Sequence, residues 1–247
     1  MNNLMKAEWF RLRRSGSLLS IILLIGFCSV ALQFLGNDGP TVTVESYFLH
    51  ASMGIAMAVG SVSAIVAGTF NNRLANYEIM KGTPPMTMIL SKTLMTLIVV
   101  TVIYFIPSFV LLLIYDSSDI TLPMILLTYV CVIKLTVISE SVCIIAKDGM
   151  GAVMFLLAFA FESVPLLFLQ NVLGINAVPL TPYLTSTQLM IIGDSGSVDL
   201  EDLSLALDKS YIEAKVLVTF IIFTAVMFGI AYKSLKNKWE TRIISAN

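Results

Sequence analysis

Histidine, cysteine and charge are all scarce in this 247-residue chain, and each scarcity removes a class of chemistry. There is one histidine, His50, and three cysteines, Cys28, Cys131 and Cys143, all of them inside or beside long apolar stretches. No H-E-x-x-H pair and no cysteine spacing suited to a metal or a disulfide framework occurs, so no metal site is expected and the cysteines read as small apolar packing residues. His50 reads as a polar residue near a membrane interface. Neither a G-x-S-x-G elbow nor a group of carboxylates is present, so no catalytic residue is assigned and the chain is not expected to be an enzyme. A G-x-x-x-x-G-K-[ST] phosphate loop is missing too, which excludes nucleotide hydrolysis by these residues. Charged residues make up 13% of the chain, about half the share of an ordinary soluble domain.

What is present is apolar sequence in quantity: 57% hydrophobic residues and a mean hydropathy of +0.89. It falls into six runs, 17–36, 47–70, 88–115, 122–146, 150–172 and 212–233, each near the ~20 residues that cross a hydrocarbon layer as a helix. The expected fold is therefore an all-α integral membrane protein with six transmembrane helices occupying 17–233. The charges are sorted by side. Lys6, Arg11, Arg13 and Arg14 precede the first run, Arg73, Lys81 and Lys92 follow the second, Lys147 follows the fourth, and Lys233, Lys236, Lys238 and Arg242 follow the sixth. The alternate connections carry Asp38, Glu45, Asp116, Asp119, Asp194, Asp199, Glu201, Asp202 and Asp208, with Lys209 and Lys215 as their basic residues. The positive-inside rule then puts both termini in the cytoplasm of a cell carrying this multi-pass protein in its plasma membrane. The first run is too long for a signal peptide and no small-residue cleavage pattern follows it, so it reads as a retained span.

Residues 1–16 suit an interfacial helix, with Leu4, Met5, Trp9 and Leu12 available to one face, Trp9 and Phe10 at the interface, and Arg13 and Arg14 among lipid phosphates. The second run is rich in small residues, among them Gly54, Ala58, Ser61 and Gly68, which predicts a helix packed closely inside a bundle or dimer. Pro107 predicts a kink in the third span. The external segment 173–211 starts apolar but is broken by Gly174, Pro179, Pro182 and Gly193, so it is expected to be partly re-entrant before turning acidic. A cytoplasmic tail, 234–247, closes the chain.

Lys134, Glu140 and Glu162 fall inside spans, where charge is costly and faces a partner or water. Lys134 and Glu140 are six apart, about 120° around a helix and a poor pair. Lys134 and Glu162 each lie fourteen residues from Asp148 in the turn between the fourth and fifth spans, so two straight antiparallel helices would bring them to equal depth. A structural ion pair, recognition of substrate or proton, and exposure to a wet cavity between subunits are the three readings open to them.

The most specific local signal is cytoplasmic: residues 71–94 read NNRLANYEIMKGTPPMTMILSKTL. Glu78 and Ile79, the glycine four residues after the Glu (Gly82), and the Leu90-Ser91-Lys92 ending resemble the permease subunits of type 2 ATP-binding-cassette (ABC) exporters, in particular the bacterial lantibiotic-immunity and bacitracin-resistance branch. The six runs, the basic amino-terminal helix and the long segment before the last run agree in layout. Thr83, Pro84, Pro85 and Met86 depart from the polar or basic residues that often follow the glycine there. The resemblance implies a coupling helix within 71–87 that docks on a separate ABC ATPase through Asn76, Tyr77, Glu78, Met80, Lys81 and Gly82. ATP and Mg would be bound by that partner and no cofactor by this chain. It further implies assembly with a second copy or a related permease, export of an amphiphilic cargo such as a peptide antibiotic from the cell or the bilayer, and no role for nucleic acid. The competing expectation is a proton-coupled secondary transporter with Lys134, Glu140 and Glu162 as its relay; an intramembrane enzyme fits less well.

Overall fold

Prolines place the start and the bend of the third apolar run. A computed structural model of the chain describes residues 2–14, 44–71, 82–115, 120–176, 178–193 and 211–244. In it Gly82 adopts a left-handed φ of 78° that a side chain would strain. Pro84 is extended, and Pro85 takes the first helical position, where its missing N–H costs nothing. The helix that follows gives way at Thr101–Phe105 to a π-turn, in which the N–H of Ile106 reaches back five residues to the carbonyl of Thr101. Pro107 causes this, because it cannot donate to the preceding turn and its ring needs that turn opened. The expected kink is thus a widened turn just before the proline.

Every regular element among the described residues is helical. In chain order they are α1 (Asn2–Arg14), α2 (Val44–Asn71), α3 (Pro85–Val100) continued through the π-turn into α4 (Ile106–Tyr115), α5 (Leu122–Ala146), α6 (Met150–Ala160), α7 (Val164–Asn171), a 3-10 helix (Val178–Tyr183), α8 (Thr185–Gly193) and α9 (Ile212–Ile244). Four stretches are long and apolar enough to cross a membrane: Pro85–Ile114, Leu122–Ala146, Met150–Asn171 and Ile212–Lys236. Within α2 the apolar part is the shorter Ala51–Ala67. The run 17–36, Cys28 and the side chain of His50 lie outside the described residues.

The small residues of α2 do what their spacing predicts. This helix packs against α3, α5, α6 and α8, and Gly54 leaves room for the Tyr104 hydroxyl at its bare backbone. Around it the core gathers Tyr47, Phe48, Phe105 and Phe109, with ring pairs meeting edge-on or tilted. Cys131 and Cys143 are buried free thiols. α5 and α6 approach each other closely. They are joined by a turn in which Lys147 is left-handed and its N–H caps Cys143 at 2.8 Å, and Gly151 then lies against the Cys143 backbone with no room for a side chain. By contrast α6, α7 and α9 leave many large apolar residues uncovered, including Met150, Met154, Leu157, Phe168, Ile221 and Ile222. Water would not tolerate such a surface on this scale; lipid or another helix would.

Gly151→Val should force α5 and α6 apart and cost about 1–3 kcal/mol, whereas Gly229→Val, at a position open on α9, should leave stability unchanged. Thermal unfolding of the two variants in one detergent compares them directly.

Candidate functional site

Two polar clusters interrupt the apolar bundle, and they use different faces of α5. The first is built on Lys134, in the middle of α5 and fully buried. Its ammonium donates to the Gln188 side-chain oxygen at 2.6 Å and to the Thr219 hydroxyl at 3.3 Å. The Gln188 amide nitrogen donates in turn to Thr219 at 3.1 Å, and Thr219 caps back to the carbonyl of Val216 on its own helix at 2.9 Å. One lysine thereby joins α5, α8 and α9. The Gln188 amide uses both its ends, which leaves no polar atom of it bare.

Glu162 belongs to the same cluster through another route. It sits in the break between α6 and α7, where Phe161, Glu162 and Ser163 leave the helix and Pro165 restarts it near the first turn. Its carboxylate accepts the backbone N–H groups of Thr185 at 2.6 Å and Ser186 at 3.1 Å, and the Ser186 hydroxyl at 3.0 Å. Those N–H groups open α8 and have no partner within it, and the helix dipole there favours a negative charge.

The expected Lys134–Glu162 ion pair is therefore corrected. Their charges are close enough to act on each other, but Lys134 takes its direct bonds from α8 and α9, and Glu162 takes its own from the start of α8. Equal spacing from Asp148 assumed two unbroken helices with no other partner for either charge. The break at Glu162 and the partners on α8, which packs on α2 and α5, remove both assumptions. Within the segment after α7, Thr185–Gly193 is accordingly a buried helix, with Gln188, Leu189, Ile191 and Ile192 covered, whereas Leu173, Ile175, Leu180 and Tyr183 before it are exposed.

A second cluster lies toward the end of the bundle that carries the α5–α6 turn. Lys92, two turns into α3 and fully buried, pairs with Glu8 of α1 at 2.8 Å, and Glu8 is itself 1% exposed. Next to it Thr96 donates its hydroxyl to one oxygen of Glu140, and Glu140 is fully buried on α5. The Ser63 hydroxyl of α2 and the Lys92 charge both stand near this carboxyl. Lys134 and Glu140 do face apart, as their spacing predicts.

Glu8 was not among the residues singled out from sequence, although a signal existed. It is the acid in an otherwise basic helix, and it precedes Leu12 by one turn, so the two share a face. Both are buried, while Lys6, Trp9, Phe10 and Arg13 are exposed. Of the proposed docking residues, Asn76, Tyr77, Glu78, Met80 and Lys81 lie outside the described residues, and Gly82 is the left-handed turn already noted. Among the described residues no three His, Cys, Asp or Glu side chains converge as metal ligands.

Three mutational cycles test these contacts. Lys92→Met or Glu8→Gln alone strands a buried charge and should cost about 3–5 kcal/mol, while the double variant should lose at least about 1 kcal/mol less than the sum. For the other cluster, Lys134→Met and Gln188→Leu should show the same non-additivity, and Lys134→Met with Glu162→Gln a smaller one; thermal unfolding of each set reads the coupling. No family model matches the chain, and no curated protein is significantly similar to it.

Proposed function

We propose that this chain is the membrane-spanning permease subunit of an ABC exporter of the lantibiotic-immunity and bacitracin-resistance kind, with six spans, both termini in the cytoplasm, and hydrolysis of ATP carried out by a separate ATPase. The observation that carries the reading is the segment around Glu78, Ile79, Gly82 and Leu90-Ser91-Lys92. Gly82 supports it by taking a backbone shape suited to glycine, which gives a physical reason for that residue at the end of a coupling helix. Lys92 supports it by linking the far side of the same segment to α1, so that movement of a docked ATPase would reach α1 and α3 together. Asn76, Tyr77, Glu78, Met80 and Lys81 would form the docking surface.

The uncovered faces of α6, α7 and α9 suit a second copy or a related permease together with lipid. Cargo would be amphiphilic, a peptide antibiotic or a similar molecule, because its path would run between apolar helices with isolated polar groups such as those around Lys134. ATP binding would draw the partner ATPases together and turn the helices as rigid pieces between inward and outward access.

Deleting 76–81 or replacing Glu78 with alanine should abolish co-purification of the ATPase while the permease still inserts in the membrane. Export that survives ATP depletion in cells holding a proton gradient would instead establish the proton-coupled alternative.

A further inference from the structure

Glu140 is the one carboxyl among the described residues with a fully buried oxygen that no hydrogen bond satisfies. Its first oxygen accepts from Thr96 of α3. The second faces the neighbourhood of Ser63 of α2, whose own hydroxyl is also buried and unpaired. The ammonium acting on it, that of Lys92, makes its 2.8 Å bond to Glu8 instead. An ionised carboxylate in this position would have a free lone-pair edge and no direct counter-charge, in a place without solvent contact, which is among the costliest arrangements a protein can hold.

We propose that Glu140 is a proton-binding site, occupied as the neutral acid, with the proton on its second oxygen, on the side of Ser63. A proton satisfies the geometry where other ligands do not. A water molecule would complete the hydrogen bonds and leave the charge. A metal ion would find the Glu140 carboxyl with hydroxyls and no second carboxylate free to join it, and would sit beside the ammonium of Lys92.

The groups that face Glu140 give the proton a structural consequence. They are the Ser63 hydroxyl from α2, Lys92 and Thr96 from α3, Glu8 from α1, and the Cys143 thiol one turn along α5. In the acid form the carboxyl stays bonded to α3 through Thr96 and leaves Lys92 to Glu8. When the proton leaves, the new charge draws on Lys92, the residue that holds α1 through Glu8. Proton release at Glu140 thus competes with attachment of α1.

Infrared difference spectra of the full-length protein in lipid nanodiscs test this. Subtracting Glu140→Gln from wild type should reveal the carbonyl stretch of a protonated carboxyl, replaced by carboxylate absorption as the pH is raised. Ser63→Ala should keep the band, because Thr96 still meets the first oxygen. Glu8→Gln leaves Lys92 freer to favour the ionised form and should move the loss of the band to lower pH by about one unit. If Glu140→Gln fails to accumulate, Glu140→Asp substitutes, with the band displaced to the aspartic position. A difference spectrum containing carboxylate absorption alone at every pH at which the protein stays folded overturns the proposal. So does a protonated band that disappears on adding sodium at constant pH, which would make this a cation site.

Discussion

A charge buried among apolar helices has to be met by another polar group, and that requirement organises this bundle more than apolar contact does. Side chains such as Leu and Ile gain little by touching one another when lipid is the alternative, and they permit helices to slide. Lys92 and Lys134 permit far less. Each reaches a defined atom on a distant part of the chain, and each thereby fixes a short element: α1 in one case, α8 in the other. Glu162 holds α8 a second time, from the opposite side of its first turn. The short helix is consequently pinned by a cation midway along and an anion at its start.

How far this was legible from sequence depended on whether a local rule was enough. Residues 122–146 read as one apolar run and form one helix with the same bounds, and 212–233 is the apolar part of a helix that continues into its basic flank. Pro107 predicted the bend of the third span, and the glycines and alanines of α2 predicted its close packing. The fifth run corresponds to Met150–Asn171, long and apolar enough to cross a membrane, but hydropathy is blind to the break at 161–163 that divides it into α6 and α7. The break bears on Lys134 and Glu162, whose equal depth is a property of straight helices. Glu8 was overlooked because the lysine that needs it lies 84 residues away, and no periodicity within α1 points across that distance.

The two clusters also divide the labour of holding α5. Toward one face it is bonded through Glu140 to α3, and toward another through Lys134 to α8 and α9. Against α6 it has neither kind of side-chain bond among the described residues but packs closely at Gly151 and through Cys143 and Ala152, and contact that close transmits movement because it cannot be compressed. In the transport reading, α5 and α6 would shift as a pair, with polar contacts exchanged on their other sides.

The π-turn at Thr101–Phe105 amounts to one residue more than an α-helix needs to cover the same rise. Everything after it is turned back by about 100° relative to an uninterrupted helix, and this is what keeps Tyr104, Ser108 and Leu112 on the buried side in line with Val100. Length and orientation are thereby uncoupled in this span. A residue can be gained or lost at the turn while the half beyond Pro107 goes on presenting the same face, so the chain holds a reserve of slack at mid-span that a regular helix does not possess.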